Sequence, residues 1–268
     1  MTQSGRVADV DKRQVFIFRD NGFSQEISPF VREVPLNILI DGRELVTIAC
    51  SGCSVTELAV GFLRSEGIIG SASDIKEIDV SDDQRFVNII TENQQIWKHE
   101  KMLHAPADNI ASSGARSWHG ESGIAHRENL LAQRTFMTTK QVFYFMKRLV
   151  DESPLHKITG GTHSAALTDG DHILAVREDI GRHNVIDMLG GYTLLNGIDC
   201  SHKIILRTGR VSAEIVHKVW NLGVPMMISL SVPTTLAINL CEEAGITLIG
   251  SVRRGKMNVY CHEWRVIC

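Results

Sequence analysis

The second half of this 268-residue chain alternates short apolar runs with stretches of helical period, and that alternation restricts the fold more than any other feature. Residues 203–207 (KIILR) read as a buried strand. Thr208, Gly209 and Arg210 follow, then a helix from Ser212 with Ile215, Val219 and Leu222 on one stripe. Gly223 is placed to stop that helix, and residues 225–230 form the next strand. Ser231-Val-Pro-Thr-Thr235 leads into a helix through Leu236, Leu240 and Ala244 that Gly245 stops. Residues 246–252 are a further strand, ending in Arg253-Arg-Gly-Lys256. Strands alternating with helices of this length imply βαβ units and a largely parallel sheet. The turns after such strands lie along one edge, where ligands usually bind.

The stretch Val176-Arg-Glu-Asp-Ile-Gly-Arg-His-Asn184 stands between an apolar strand-like run (172–176) and a helical stripe of Val185, Ile186, Leu189 and Tyr192. A turn needs Gly or Asn, not two acids, two arginines and a histidine as well. Backbone N–H groups at a helix start favour an anion there. Asp179 is placed to cap the helix opening near Arg182, with His183 projecting from the first turn; a capped helix with a solvated turn is the plainer reading. Because four such turns follow strands, Arg182, His183, Arg210, Arg253, Arg254 and Lys256 are expected to converge as an anion pocket, suited to a phosphate-bearing ligand.

With 43% hydrophobic and 22% charged residues the chain can bury a sizeable core, as one large or two small domains. A net charge of −3 gives no global basic field for nucleic acid. The polar start (MTQSGRVADVDKR) is neither a secretory signal nor a membrane anchor, and no apolar run reaches the roughly 18 residues of a spanning helix. Six cysteines without regular spacing suggest cytosolic thiols rather than a disulfide framework, so a cytoplasmic location is expected.

The first half has a different texture. Residues 36–40 and 45–49 flank Asp41-Gly42, a strong hairpin signal, and residues 75–80 and 86–90 suggest another hairpin. Ser54-x-x-Glu57 reads as a capping box for a helix (Leu58, Phe62, Leu63) ending at Gly67. From 91 to 127 the chain is polar and rich in Gly, Ser and His. Thr138-x-x-Gln141 then caps an amphipathic helix bearing Val142, Phe145, Met146 and Leu149. The expected architecture is α/β. A hairpin-rich lobe spans 1–127, including the polar loop 91–127, and a three-layer α/β lobe spans 128–268.

Cys50-Ser-Gly-Cys53 lies between a strand and that capped helix, where the helix dipole could stabilise a thiolate; two small residues fitting a turn is the plainer alternative. Zinc would need two further ligands, and His99, His104, His119 and His126 show no ligand spacing, so no metal site is expected. His126-Arg-Glu128 supplies half of a zinc nucleotide deaminase signature, but its Pro-Cys-x-x-Cys half is missing. Walker A, Gly-x-Gly-x-x-Gly and Gly-x-Ser-x-Gly patterns are absent.

At Gly61-Phe-Leu-Arg-Ser-Glu-Gly-Ile-Ile69, Thr159-Gly-Gly-Thr-His-Ser-Ala165, Glu178-Asp-Ile-Gly-Arg-His-Asn184 and Gly209-Arg-Val-Ser212 the chain resembles the formate dehydrogenase accessory proteins, FdhD or NarQ. Gly245-Ile-Thr-Leu-Ile-Gly250 and Asn258-Val-Tyr260 continue the match, which covers roughly residues 30 to 265 in order. The resemblance implies a cytoplasmic homodimer whose second lobe has the cytidine-deaminase fold. Its implied role is a sulfurtransferase, carrying sulfur from a cysteine desulfurase to the bis-guanine-dinucleotide molybdenum cofactor before formate dehydrogenase receives it. GDP would be a partial mimic of that ligand. The family's cofactor-binding segment falls on Ser251, Val252, Arg253, Arg254, Gly255 and Lys256. The other matched motifs add Thr162, His163, Asp179, Arg182, His183, Arg210 and Ser212 as cofactor-binding candidates.

One departure bears on the chemistry. The family carries sulfur on a Cys-Gly-x-Cys-Gly loop between the lobes, and the matching stretch, residues 113–120, contains no cysteine. A persulfide relay needs a thiolate, which neither serine nor histidine replaces. Either Cys50 or Cys53 then carries the sulfur, or the protein holds the cofactor without transferring sulfur, with Trp118 and His119 of the loop covering the ligand.

Overall fold

A computed structural model describes residues 10–20, 22–93, 110–111 and 128–268 and sets two sheets on either side of a helical layer. The expectations for Trp118, His119, the other histidines of the polar stretch and residues 113–120 lie outside the described residues. Strands β1 (Val10–Arg19) and β2 (Gly22–Val31) form an antiparallel ribbon that, among the described residues, joins no other sheet. Opposed residues of an antiparallel pair share a face, so the register Phe18↔Phe23, Phe16↔Gln25 and Gln14↔Ile27 makes one face apolar. Phe16, Phe23 and Ile27 are 72%, 74% and 73% exposed on it.

Strands β3 (Val34–Ile40) and β4 (Arg43–Cys50) meet at Asp41 and Gly42, which both take positive φ (50° and 78°), the geometry that Asp-Gly supplies to a two-residue hairpin. Helix α1 is Val55–Ser65; β5 (Ile75–Val80), β6 (Phe86–Thr91) and the short β7 (Ile110–Ala111) complete a five-stranded sheet ordered β5-β6-β3-β4-β7. The expected Ser54–Glu57 box does not form. Ser54 is left-handed (φ 48°) with no side-chain cap, and Glu57 is drawn instead into a bidentate pair with Arg177, at 2.6 Å to Nη2. A desolvated carboxylate gains more from a guanidinium fork than from one backbone N–H.

Beyond β8 (Met137–Thr138), α2 (Thr139–Asp151) carries the expected capping box: Gln141 N–H donates to Thr138 Oγ1 at 3.2 Å and Thr138 N–H to Gln141 Oε1 at 2.9 Å. There follow α3 (Pro154–Thr159), β9 (His163–Thr168), β10 (Ile173–Asp179), α4 (Asn184–Leu195), β11 (Ile204–Arg207), α5 (Ala213–Asn221), β12 (Met226–Ser229), α6 (Thr235–Ala244), β13 (Thr247–Arg253) and β14 (Lys256–Cys261). A last strand, β15 (Val266–Ile267), pairs with β8.

The second sheet runs β10-β9-β11-β12-β13-β14. It is mixed rather than largely parallel: β11, β12 and β13 are parallel, while β9 and β14 run the other way. The cause is loop length. Residues 169–172 and 254–255 are too short for a crossover, so each closes an antiparallel hairpin. Helix α2 packs on one face through Val142, Phe145, Met146 and Leu149; α4, α5 and α6 pack on the other through Val185, Ile215 and Ala237, a three-layer arrangement.

Helix α4 also faces the first sheet, since its Met188 and Leu194 lie in the core formed by α1 and β3–β6. It meets α1 backbone to backbone. A Cβ on Gly61 would stand 1.7 Å from the Asp187 carbonyl oxygen, and one on Gly191 would stand 2.0 Å from that of Glu57. Beside this contact Lys218 Nζ reaches both oxygens of buried Asp187 (2.6 and 2.7 Å), and Ser65 Oγ donates to the same carboxylate at 2.6 Å.

Candidate functional site

The strand directions bring the carboxyl ends of β10, β11, β12 and β13 to one edge of the second sheet, with the amino ends of β9 and β14. Alternation along each strand then splits the edge between two faces. His163 shares a face with Ala165 and Leu167, and Arg207 with Ile205, so both lie on the side of α4 and α5. Arg253 and Arg254 instead line a groove of about 280 Å³ with Phe143, Met146, Lys147, Val150 and Asp151 of α2, together with Leu230 and Val252. The expected single pocket is therefore two neighbouring regions that share an edge.

On the α4 side, His163, Arg182, Arg207 and Arg210 form a cationic group. Burial, then Arg207, Arg182, His156 and Arg210 in that order, hold the His163 pKa below its ordinary value. Gly209 lies among them: a Cβ there would stand 3.1 Å from Arg207 Nη2, 3.2 Å from His163 Nδ1 and 3.3 Å from Arg182 Cβ. Among the described residues no carboxylate pairs with Arg182, Arg207 or Arg210, whereas His183 Nε2 lies 3.1 Å from Glu214. Such a surplus of positive charge suits an anion.

Arg207 is the residue the sequence reading passed over, as the last residue of a buried strand. It is 0% exposed; Nε donates to the Gly209 carbonyl (3.2 Å), and Nη2 to those of Arg182 (3.5 Å) and Arg210 (3.2 Å). Ser229 Oγ donates to the same Gly209 carbonyl at 2.8 Å. Burial first, and Arg182 second, pull the Arg207 pKa down to about 9. The available signal was the residue type itself, a full charge closing an otherwise apolar run at the ligand edge.

Several sequence-based assignments change. Asp179 does not cap α4, whose first-turn N–H groups it leaves alone. It is fully buried and accepts from Ser51 N–H (2.7 Å), Gly181 N–H (2.8 Å) and Asn184 Nδ2 (2.6 Å). Burial raises its pKa against the pull of those donors. His183 does not project from the helix but is buried at the N-cap, without capping α4. Thr162 is buried, and its carbonyl lies 2.6 Å from His156 Nδ1. Ser212 is the α5 N-cap residue, without a side-chain cap bond. Ser251, Arg254 and Gly255 take positive φ (54°, 48° and 77°), and Arg254-Gly255 is the hairpin turn between β13 and β14; Arg253, Arg254, Gly255 and Lys256 are exposed there.

The two candidate thiols separate sharply. Cys50 ends β4 inside the first core, where burial, then Asp179, pushes its pKa up to about 12. At Cys50 desolvation works against the thiolate that a helix dipole could stabilise, which fits the plainer reading of a small residue in a turn. Cys53 is half-buried in the strained turn between Gly52 (φ 78°) and Ser54 (φ 48°), just ahead of α1. The same turn touches the cationic edge, because Ser51 N–H binds Asp179. Among the described residues no three His, Cys, Asp or Glu side chains gather as a metal would require, and no helix is long and apolar enough to cross a membrane.

Comparison with known proteins gives a consistent result. Residues 31–267 match the model of the FdhD/NarQ family. A sulfur carrier protein FdhD of Staphylococcus haemolyticus is 35% identical over 95% of this chain and 96% of its own, and one of Bacillus subtilis is 34% identical over the same shares. A crystal structure of a proposed formate dehydrogenase accessory protein from Desulfotalea psychrophila superposes with a TM-score of 0.76 at 23% identity, covering 96% of this chain and 99% of that one. That likeness supports the fold; a cytidine-deaminase likeness finds no such support.

Proposed function

Since the chain belongs to the FdhD/NarQ family, we propose that it takes sulfur from a cysteine desulfurase and delivers it to the bis-guanine-dinucleotide molybdenum cofactor, its substrate, ahead of insertion into formate dehydrogenase. The observation that carries this reading is the cationic edge of His163, Arg182, Arg207 and Arg210, whose arginines pair with no carboxylate among the described residues and which suits the phosphates of a guanine dinucleotide. The basic groove at Arg253 and Arg254 extends the same edge. Cys53 is the sulfur carrier in this reading, because its turn reaches the surface and leans on Asp179 through Ser51. The protein acts in the cytoplasm as a homodimer, which analytical ultracentrifugation tests.

Intact-protein mass spectrometry after incubation with a cysteine desulfurase and cysteine is the direct experiment. A gain of one sulfur mass mapping to Cys53, lost in Cys53→Ser and kept in Cys50→Ser, is expected. Titration calorimetry with GDP measures the binding half separately, and Arg253→Ala is expected to weaken it about tenfold or more. A second reading, a holder of the cofactor that transfers no sulfur, is favoured by the buried Cys50 and by the cysteine-free stretch at 113–120. GDP binding without any sulfur gain would select it.

A further inference from the structure

Two arginines among the described residues are completely buried, and they differ in one respect. Arg265 uses every nitrogen of its guanidinium. Nε donates to the Gln133 carbonyl, Nη1 to those of Pro225 and Gly245 and to Thr247 Oγ1, and Nη2 to those of Leu130 and Leu131, at 2.7 to 3.2 Å. It behaves as a structural tie among loops. Arg207 donates from Nε and Nη2, while its buried Nη1 has no hydrogen-bond partner. Among the described residues no carboxylate pairs with it. A buried charge without a counter-ion is strongly unfavourable, and a fold keeps one only where something offsets it.

We propose that Arg207 is a positioning residue for the anion bound at this edge. Its charge, held just beneath Gly209, awaits the phosphate groups of the ligand as its counter-ion, and its fork aligns the loops that receive them. The inference rests on the anion-binding reading above. Nη1 is enclosed, so Arg207 acts across the Gly209 backbone rather than by touching the ligand. The carbonyls it gathers belong to Arg182 and Arg210, so the same side chain orients two loops that present exposed or half-exposed cations. Its pKa of about 9 leaves it charged at neutral pH. The shared chemistry is a pyrophosphate anion, whether free or within a nucleotide.

The test compares inorganic pyrophosphate and GDP by calorimetry on the full chain, at matched ionic strength, in wild type, Arg207→Lys and Arg207→Gln. Lysine keeps the charge and loses the fork; glutamine keeps donors to the carbonyls and loses the charge. Lysine is expected to bind pyrophosphate within about threefold of wild type and glutamine about tenfold or more weaker, the size of one unscreened charge in a partly buried site. The inference falls if glutamine binds like wild type, if lysine is the weaker of the two, or if both lose equally, since each outcome makes Arg207 a tie like Arg265. Wild type that binds neither pyrophosphate nor GDP overturns the anion-binding reading along with it. Binding of GDP alone, with pyrophosphate inert, overturns the charge argument and leaves the guanine site standing.

Discussion

The β1–β2 ribbon and the edge of the second sheet break the rule of apolar-inside, charged-outside in opposite directions. The ribbon exposes Phe16, Phe23 and Ile27 to solvent, while the edge buries Asp179, His183 and Arg207. A two-stranded ribbon has no second layer in which to bury one of its faces, and an isolated hairpin is marginal in water. The edge buries its polar groups because four strands end there beneath the helices α4 and α5. Such departures cost stability locally, so stability comes from elsewhere, chiefly from the cores around α1 and α4. The comparison teaches that exposure alone does not tell which residues hold this fold.

The largest effect is expected from the buried charges that do hold it. Lys218→Met leaves the Asp187 carboxylate enclosed with only Ser65 beside it, and chemical denaturation should show a loss of about 3 to 5 kcal/mol. Pairing it with Asp187→Leu should recover part of that loss, because the stranded charge is then gone.

Asp179→Asn comes next. Were Asp179 a helix cap, the change would be nearly neutral. The carboxylate instead accepts three N–H groups, and an amide must turn its own NH2 toward one of them, so a loss of about 1 to 3 kcal/mol is expected. The pH dependence has a definite sign. The folded pKa is raised above 3.8, so stability from this group is fully present below that value and is lost as pH rises through the folded pKa. Melting scans should therefore show wild type losing ground to Asp179→Asn over that window.

The smallest effect belongs to the ribbon. Phe23→Ser and Ile27→Ser should each leave the melting midpoint within the range of about 0.5 kcal/mol, since neither side chain is buried. A larger loss in either variant would mean that the ribbon's apolar face is covered in solution, and the contrast with the sheet edge would narrow.

Much of the fold was legible wherever a local rule had no competitor. Asp41-Gly42 set its hairpin, Thr138 and Gln141 capped α2, and Gly223 and Gly245 ended their helices. The Ser54–Glu57 box failed because Arg177, 120 residues away, offered Glu57 a better partner. The sheet is mixed rather than largely parallel for a similar reason: apolar runs do not show direction, and two of the connections are hairpins. The ribbon went unread although Asp20-Asn-Gly22 separates two alternating runs. At the site, the residue types were legible and their depth was not. Cys50 and Cys53 look equivalent in sequence, yet one ends a strand in the core and the other occupies a turn. Arg207 carried no motif, and its burial with one nitrogen left without a hydrogen bond is visible only in the structure.

The glycine contact between α1 and α4 has a consequence for what the chain can survive. Carbonyl oxygens of each helix occupy the space a methyl group would need on the other, so the two sheets are held by interlocked backbones rather than by the chain that connects them. A protease that severed the connection between residues 93 and 128 would then release no piece. The fragments would migrate together through a sizing column and part only in denaturant, as a single cooperative body that happens to be made of two strings.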